Sequence, residues 1–146
     1  MEYQRFEPVC VVRLDPGEDI PEQLRVLALR EKIRLASVQG LGAVNDFTVG
    51  VFDTAGKTYH ANRFQGSYEI VSLTGTINTM EGAFYCHLHM SAGDGQGRVM
   101  GGHLNRATVS ATAELVVTIL PGSVDRKFSE EIGLNLLHFE ACRQTT

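Results

Sequence analysis

Residues 83–104 of this 146-residue chain read AFYCHLHMSAGDGQGRVMGGHL, and their pattern indicates how its sheet is built. Ala83–Ser91 predicts one strand, Gly93–Gly97 predicts a flexible turn, and Val99–Leu104 predicts a second strand. Strands that a short turn joins are antiparallel neighbours. The stretch therefore predicts an antiparallel hairpin.

Segments of the same β type occupy most of the chain on both sides of this hairpin. They end at turn residues such as Asp15–Gly17, Asp53–Gly56, Gln65–Gly66 and Pro121–Gly122. The other predicted strands are Pro8–Leu14, Val44–Phe52, Lys57–Phe64, Tyr68–Ile77, Thr108–Leu120 and Leu134–Phe139.

A single convincing helical pattern runs from about Ile20 to Ala36. Asp19 is placed to cap this helix, Glu22 lies three residues further on, and Pro21 falls in the first turn, where its missing N–H costs little. One main helix and seven or eight strands predict an α+β fold with a predominantly antiparallel sheet. We expect one domain spanning residues 1–146.

The charge balance argues against nucleic-acid binding. Thirteen Lys and Arg residues against seventeen Asp and Glu residues give a formal net charge of −4. DNA-binding domains usually carry a positive surplus, because neutralising phosphates and releasing their counterions supplies much of the affinity. We therefore expect direct DNA binding to be weak or absent.

The cysteines Cys10, Cys86 and Cys142 form no close pair and no C-x-x-C motif, which is typical of free thiols in a reducing compartment. No apolar run approaches the roughly 20 residues of a membrane helix, and the first residues do not resemble a signal peptide. We expect a cytoplasmic protein with no membrane partner. Cys86 lies beside two histidines, so it is either a soft metal ligand or, as we favour, a small apolar residue.

The densest polar group is His87-Leu88-His89, followed by His103 on the next predicted strand. Alternate side chains of a strand share a face, so His87 and His89 point the same way, and the turn can bring His103 beside them. Three imidazoles suit zinc or another divalent transition metal. The alternative is that these histidines form hydrogen bonds in a polar core or lie at an oligomer interface.

Two further pairs of residues have two interpretations each. Gly101 and Gly102 either let the backbone approach a ligand or another chain closely, or mark a bulge or tight bend. Glu69 and Glu114 interrupt apolar strands. Each is either an exposed position on an alternating strand or a hydrogen-bond partner for a metal-binding histidine.

Five stretches of the chain together resemble the plant-and-prokaryote conserved (PPC) domain family, and they occur in the family's order. They are Gly40–Ala43, Tyr68–Ile77, His87–His89, Gly101–Leu104 and Thr112–Val117. The resemblance implies a compact antiparallel sheet with flanking helices, assembled as a homotrimer. It also implies that the three histidines cluster, and in some bacterial members they are taken as a metal site.

In plants, the PPC domain follows AT-hook segments that insert into the DNA minor groove, and the domain itself mediates association. This chain contains no R-G-R-P hook, and it has Ala107 where members of the family often have glycine. The DNA-binding role associated with the family therefore does not transfer directly.

Three functions follow as hypotheses. The first, which we favour, is a self-associating trimeric module whose histidines bind a metal or a small ligand. The second is a metalloenzyme that uses a metal held by three histidines, with Glu69 or Glu114 moving protons. The third is a DNA-associated regulator, which the negative charge opposes.

Overall fold

A computed structural model describes residues 1–139 and contains eight strands and one helix in that range. Cys142 lies outside the described residues. In chain order the elements are β1 (Glu2–Phe6), β2 (Val9–Leu14), α1 (Ile20–Glu31), β3 (Ala36–Asp53), β4 (Thr58–Met80), β5 (Ala83–Gly93), β6 (Val99–Ile119), β7 (Asp125–Ser129) and β8 (Leu134–His138).

The eight strands form one sheet in the order β1-β2-β6-β3-β4-β7-β8, with β5 pairing with both β4 and β6. Because β3 also pairs with both β4 and β6, the strands β3, β4, β5 and β6 pair in a closed cycle. The described pairs are antiparallel except for the short parallel contact between β4 and β7. The predicted antiparallel architecture is confirmed.

Three strands are longer than the sequence indicates. Gln65–Gly66, predicted as a break, lies inside β4, where Asp46 of β3 pairs with Gln65 beyond a register irregularity that begins at Val44. Irregularities of this kind let a long strand bend without ending. The short strands β1 and β7 were not predicted, because their sequences, EYQRF and DRKFS, are rich in charge.

The helix begins as predicted but ends earlier. The Asp19 carboxylate accepts a hydrogen bond from the backbone N–H of Glu22 at 3.1 Å, and Pro21 lies in the first turn. The predicted end at Ala36 is wrong, since Lys32 adopts a left-handed conformation that stops the helix, and Ala36 begins β3. The apolar side of α1 joins the core through Ile20, Leu24, Leu27 and Ala28.

The core also fixes the direction of the β5 side chains. Leu88, Met90 and Ala92 are fully buried in the core under α1. The two-residue period of a strand therefore turns His87 and His89 to the opposite face. No helix within residues 1–139 is long and apolar enough to span a membrane.

Candidate metal centre

The imidazole rings of His87, His89 and His103 meet on the face of the sheet opposite the core. Their ring centroids are 5.2 Å apart for His87 and His89, 5.0 Å for His87 and His103, and 5.8 Å for His89 and His103. One ring nitrogen from each histidine lies within 4.8 Å of the other two. The predicted convergence of the three rings is confirmed.

The β5–β6 hairpin produces this convergence. His89 and His103 are directly opposite each other in its register. His103 also pairs with Gly50 of β3, so β6 passes at this point from β5 to β3. His89 and His103 therefore lie on backbone that is paired on both sides, whereas His87 pairs with Thr76 of β4 alone.

Gly101 and Gly102 serve the close approach of these strands within the chain. A side chain on Gly101 would place its Cβ 2.8 Å from the Met90 carbonyl oxygen. At Gly102, where φ is +157°, a Cβ would lie 2.6 Å from the Gly50 carbonyl oxygen. Real Cβ atoms do not approach a carbonyl oxygen so closely, so both positions require glycine.

The histidines line a cavity of ≈ 410 Å³. Its walls combine apolar side chains, among them Val51, Phe52, Leu134 and Leu136, with the aromatic rings of Tyr59 and Tyr85. Most ligand-binding cavities are similarly apolar, with a few polar groups that set the orientation of the ligand.

Arg126 of β7 contributes a charged group to the same cavity. Its side chain is 6% exposed, and its Nε donates to the Asn78 side-chain oxygen at 2.9 Å. One Nη group donates to the Asn135 backbone carbonyl at 2.7 Å, and the guanidinium lies 4.7 Å from the Tyr85 ring centroid. Arg126 was not among the site residues predicted from the sequence, because β7 was not predicted.

Burial lowers the pKa of His87 to about 4, and the neighbouring His103, the positive charge of Arg126 and His89 add to the effect. Burial also lowers the pKa of His103, followed by the influence of His89 and Arg126. Both rings are therefore neutral near pH 7. A neutral imidazole keeps a nitrogen lone pair, which is the form that binds a metal.

The arrangement argues against one alternative for the histidines, hydrogen bonding within a polar core. Within residues 1–139, no protein group forms a hydrogen bond with any of the three rings' nitrogens, so the rings do not belong to a polar core network. Nitrogens that share one zinc ion at about 2.0–2.1 Å lie within about 4 Å of one another. Small side-chain rotations would bring these rings to that spacing, so the donor set fits a divalent transition metal.

Glu69 and Glu114 are not brought to the cluster. Glu69 pairs with Ala43 and Gly93, and it lies five residues along β4 from Thr74, the residue opposite His89. Glu114 is eleven residues along β6 from His103. At about 3.3 Å per residue, these separations are roughly 16 and 36 Å along the strands. Both carboxylates are exposed, so the predicted role as histidine partners is replaced by the alternative of exposed strand positions.

Cys86 lies on the core side of β5 and packs against the hydrophobic core. Burial, with a smaller contribution from Asp19, raises the pKa of its thiol to about 11. A thiol must lose its proton to bind a metal, so Cys86 is a small core residue, as favoured. Cys10 and Cys86 are both free thiols.

A known protein family and several solved structures match this chain over most of its length. The sequence profile of the Plants and Prokaryotes Conserved (PCC) domain matches residues 1–121. A crystal structure from Bacteroides thetaiotaomicron, described as a candidate DNA-binding protein, superimposes with a TM-score of 0.92 at 28% sequence identity, covering 94% of this chain and 96% of that one. A metal-containing protein from Archaeoglobus fulgidus gives a TM-score of 0.83 at 30% identity, with coverages of 94% and 96%.

Among curated relatives, the bifunctional protein GlmU of a Synechococcus strain is 29% identical over 144 residues, which is 94% of this chain. The chain spans only about a fifth of that relative, 21% of its length. The similarity therefore concerns one part of a larger protein.

The lowered pKa of His87 predicts a specific pH dependence of stability. The unfolded chain binds a proton on His87 below its ordinary pKa of 6.5, whereas the folded chain does so only below about 4. Lowering the pH through this interval therefore favours the unfolded state. We expect the urea midpoint of metal-free protein to fall across the interval, and His87→Gln to make that fall shallower.

The measurement is a series of urea titrations followed by circular dichroism in the presence of a chelator. His60→Gln removes an exposed imidazole outside the cavity and should leave the fall unchanged. The same pH dependence in wild type and His87→Gln would contradict the assignment.

Proposed function

Because the chain belongs to the Plants and Prokaryotes Conserved (PCC) domain family, we propose that it is a self-associating binding module, a homotrimer in which His87, His89 and His103 of each subunit hold zinc or another divalent transition metal. One observation carries the metal proposal: three imidazole nitrogens, free of protein hydrogen bonds within residues 1–139, lie within 4.8 Å of one another in a cavity.

The surroundings of the rings support this proposal. Burial and Arg126 hold two of the imidazoles neutral, so no proton needs to leave before a metal binds near pH 7. A solved relative that covers almost the whole chain is a metal-containing protein. A metal held by three imidazoles would supply a Lewis-acidic position open to a further ligand.

A binding module agrees better with the cavity than a metalloenzyme does. The residues that line the cavity within 1–139 include no Asp and no Glu, so no carboxylate is in place to move protons. Histidines and carboxylates are the side chains that most often transfer protons in general acid–base catalysis. The histidines themselves would be occupied as ligands.

Self-association is proposed from a surface that the fold leaves uncovered. The helix α1 packs on the core side of the sheet, against β5 and β6. On the opposite side, Val11, Leu41 and Val71 are exposed and line one groove together with Glu114. We call this surface the open sheet face. An apolar surface of this kind favours contact with another chain.

A homotrimer is the state that the family resemblance implies, and closed cyclic symmetry would satisfy three identical patches without leaving an open end. The core of such an interface would be apolar, with the polar groups at its rim. Leu41 is central to the open sheet face. It pairs with Glu114 of β6, and the preceding Gly40 pairs with Leu73 of β4, and both partners line the same groove.

Direct DNA binding is not part of the proposal. The net charge is −4, and the chain contains no hook motif. Several arginines are neutralised by carboxylates, as in the pairs Arg63–Asp46 and Arg98–Asp94. The description of the Bacteroides relative as a candidate DNA-binding protein therefore has no electrostatic counterpart here.

The metal proposal is tested by removing one imidazole. We expect untagged wild-type protein to bind close to one equivalent of zinc per chain, and His87→Ala to bind it at least about tenfold more weakly, because it lacks one of three ligands. Elemental analysis and a competitive chelator titration measure both values. His60→Ala is the matched control and should retain wild-type affinity. Equal zinc binding by His87→Ala would disprove ligation by the cluster.

The trimer is tested by mass. Light scattering coupled to size exclusion should give about 48 kDa for three 16.0 kDa chains. Leu41→Glu should lower that mass, because it places a charge in the apolar contact. Leu29→Glu is the control: Leu29 is 58% exposed, against 56% for Leu41, but it lies on α1. A wild-type mass of one or two chains would refute the trimer.

The third test is DNA affinity at physiological salt. Fluorescence anisotropy with a duplex probe should show no binding tighter than the non-specific range of about 10⁻⁴–10⁻⁶ M. Sub-micromolar affinity that weakens steeply with added salt would overturn this expectation.

A further inference from the structure

Arg126 is a buried cation to which residues 1–139 offer no acidic partner. It is 6% exposed, and no carboxylate of residues 1–139 forms an ion pair with it. By contrast, Arg5, Arg25, Arg63 and Arg98 are more exposed and each pairs with an Asp or a Glu. A buried unpaired charge is costly, so the position of Arg126 requires an explanation.

The hydrogen bonds of Arg126 use only some of its donor groups and do not offset its charge. A guanidinium has five N–H groups in a planar fork. Nε–H is used by Asn78 and one Nη1–H by the Asn135 carbonyl, which ties the β7–β8 hairpin to β4. These two acceptors are neutral, so neither offsets the positive charge. Nη2 and the remaining Nη1–H make no hydrogen bond within the described residues.

The cavity that Arg126 shares with the histidines has a positive balance. Its lining contains Arg126, three histidines of which two are held neutral, and no acidic residue of the described chain. A divalent metal on the histidines would raise the charge to about +3 by simple addition. A site of this kind is complementary to an anion.

The other residues that line the cavity indicate what kind of anion would bind there. Val51, Phe52, Leu134 and Leu136 give the cavity an apolar wall, which a fully hydrated inorganic anion would not use. The Nη2 group, which makes no hydrogen bond within the described residues, leaves two N–H donors for the oxygens of a carboxylate. The cavity of ≈ 410 Å³ has room for a small organic molecule.

We propose that this cavity binds a small organic carboxylate with an apolar body, whose carboxylate group lies on Arg126 beside the histidine cluster. The inference deepens the proposed function, and its metal-bound form rests on that function. The apolar part of the ligand packs against the wall of β3 and β8 residues. The carboxylate group of the ligand supplies the negative charge that the described residues around the cavity do not offer to Arg126.

The experiment uses benzoate as the probe and benzamide as its neutral isostere, in calorimetric titrations of both zinc-loaded and metal-free protein. We expect benzoate to bind at least about tenfold more tightly than benzamide, since hydrogen bonds between two charged groups are roughly twice as strong as those between neutral groups. Inorganic phosphate is titrated as a third ligand. Equal binding of benzoate and benzamide, or tighter binding of phosphate than of benzoate, would overturn the proposal.

Variants identify the site. Arg126→Met should abolish the preference for benzoate, with thermal melting as the check that it folds. Val51, which is 62% exposed at the cavity, provides a test that leaves the core intact. Val51→Glu should weaken benzoate binding by about tenfold through charge repulsion, while Val51→Gln should stay close to wild type. Arg98→Met, distant in the β5–β6 turn, is the matched arginine control.

These experiments can disprove the metal site and the carboxylate site independently of each other. Zinc binding without benzoate binding would overturn the carboxylate site alone. Benzoate binding that depends on Arg126 and Val51 in protein that binds no zinc would support the carboxylate site and refute the metal. Benzoate binding that neither Val51→Glu nor Arg126→Met changes would place the ligand elsewhere and overturn the inference.

Discussion

The two-residue alternation of β5 is the constraint on which the rest of the structure depends. Leu88, Met90 and Ala92 must enter the core beneath the helix, and this requirement alone turns His87 and His89 outward. A shift of one residue in the register would bury both imidazoles and expose the apolar side chains. The core therefore fixes the candidate site, although none of the site's polar groups belongs to it.

This dependence explains why part of the site was predictable from sequence. His-Leu-His places two rings on one face by strand geometry, and the glycine-rich turn predicts the returning strand that carries His103. Arg126 was not predictable, because it reaches the cavity through the pairing of β7 with β4, a contact between segments about 46 residues apart with no local signal. For Glu69 and Glu114 the sequence suggested a role that the structure does not support. Their polarity within apolar strands suggested contact with the histidines, but both lie far from the histidine cluster along their strands.

The fold shows the same division between local and tertiary information. Asp19, Pro21 and the apolar stripe mark where the helix starts. The helix ends because Lys32 adopts a left-handed backbone conformation. Lysine rarely adopts this conformation, so the sequence gives no signal for the end of the helix. Gly66 resembles a strand break, yet β4 continues through it because the neighbouring strand β3 bends at the same place. Pairing between distant strands overrides the local turn signal in such positions.

The closed cycle of β3, β4, β5 and β6 has a consequence for how copies of this chain can meet. A strand edge with unpaired backbone groups invites the addition of another strand, and that is a common route to aggregation. Within residues 1–139, β5 is paired on both sides from His89 to Gly93, where it lies between β4 and β6, while Ala83–Leu88 pairs with β4 alone. The outermost strands of the described chain, β1 and β8, are five residues each, but Thr58–Tyr68 of β4 also pairs on one side only, with β3. The backbone of Thr58–Tyr68 is thus open to the addition of another strand, whereas the segment His89–Gly93, which carries one of the histidines, is closed to it.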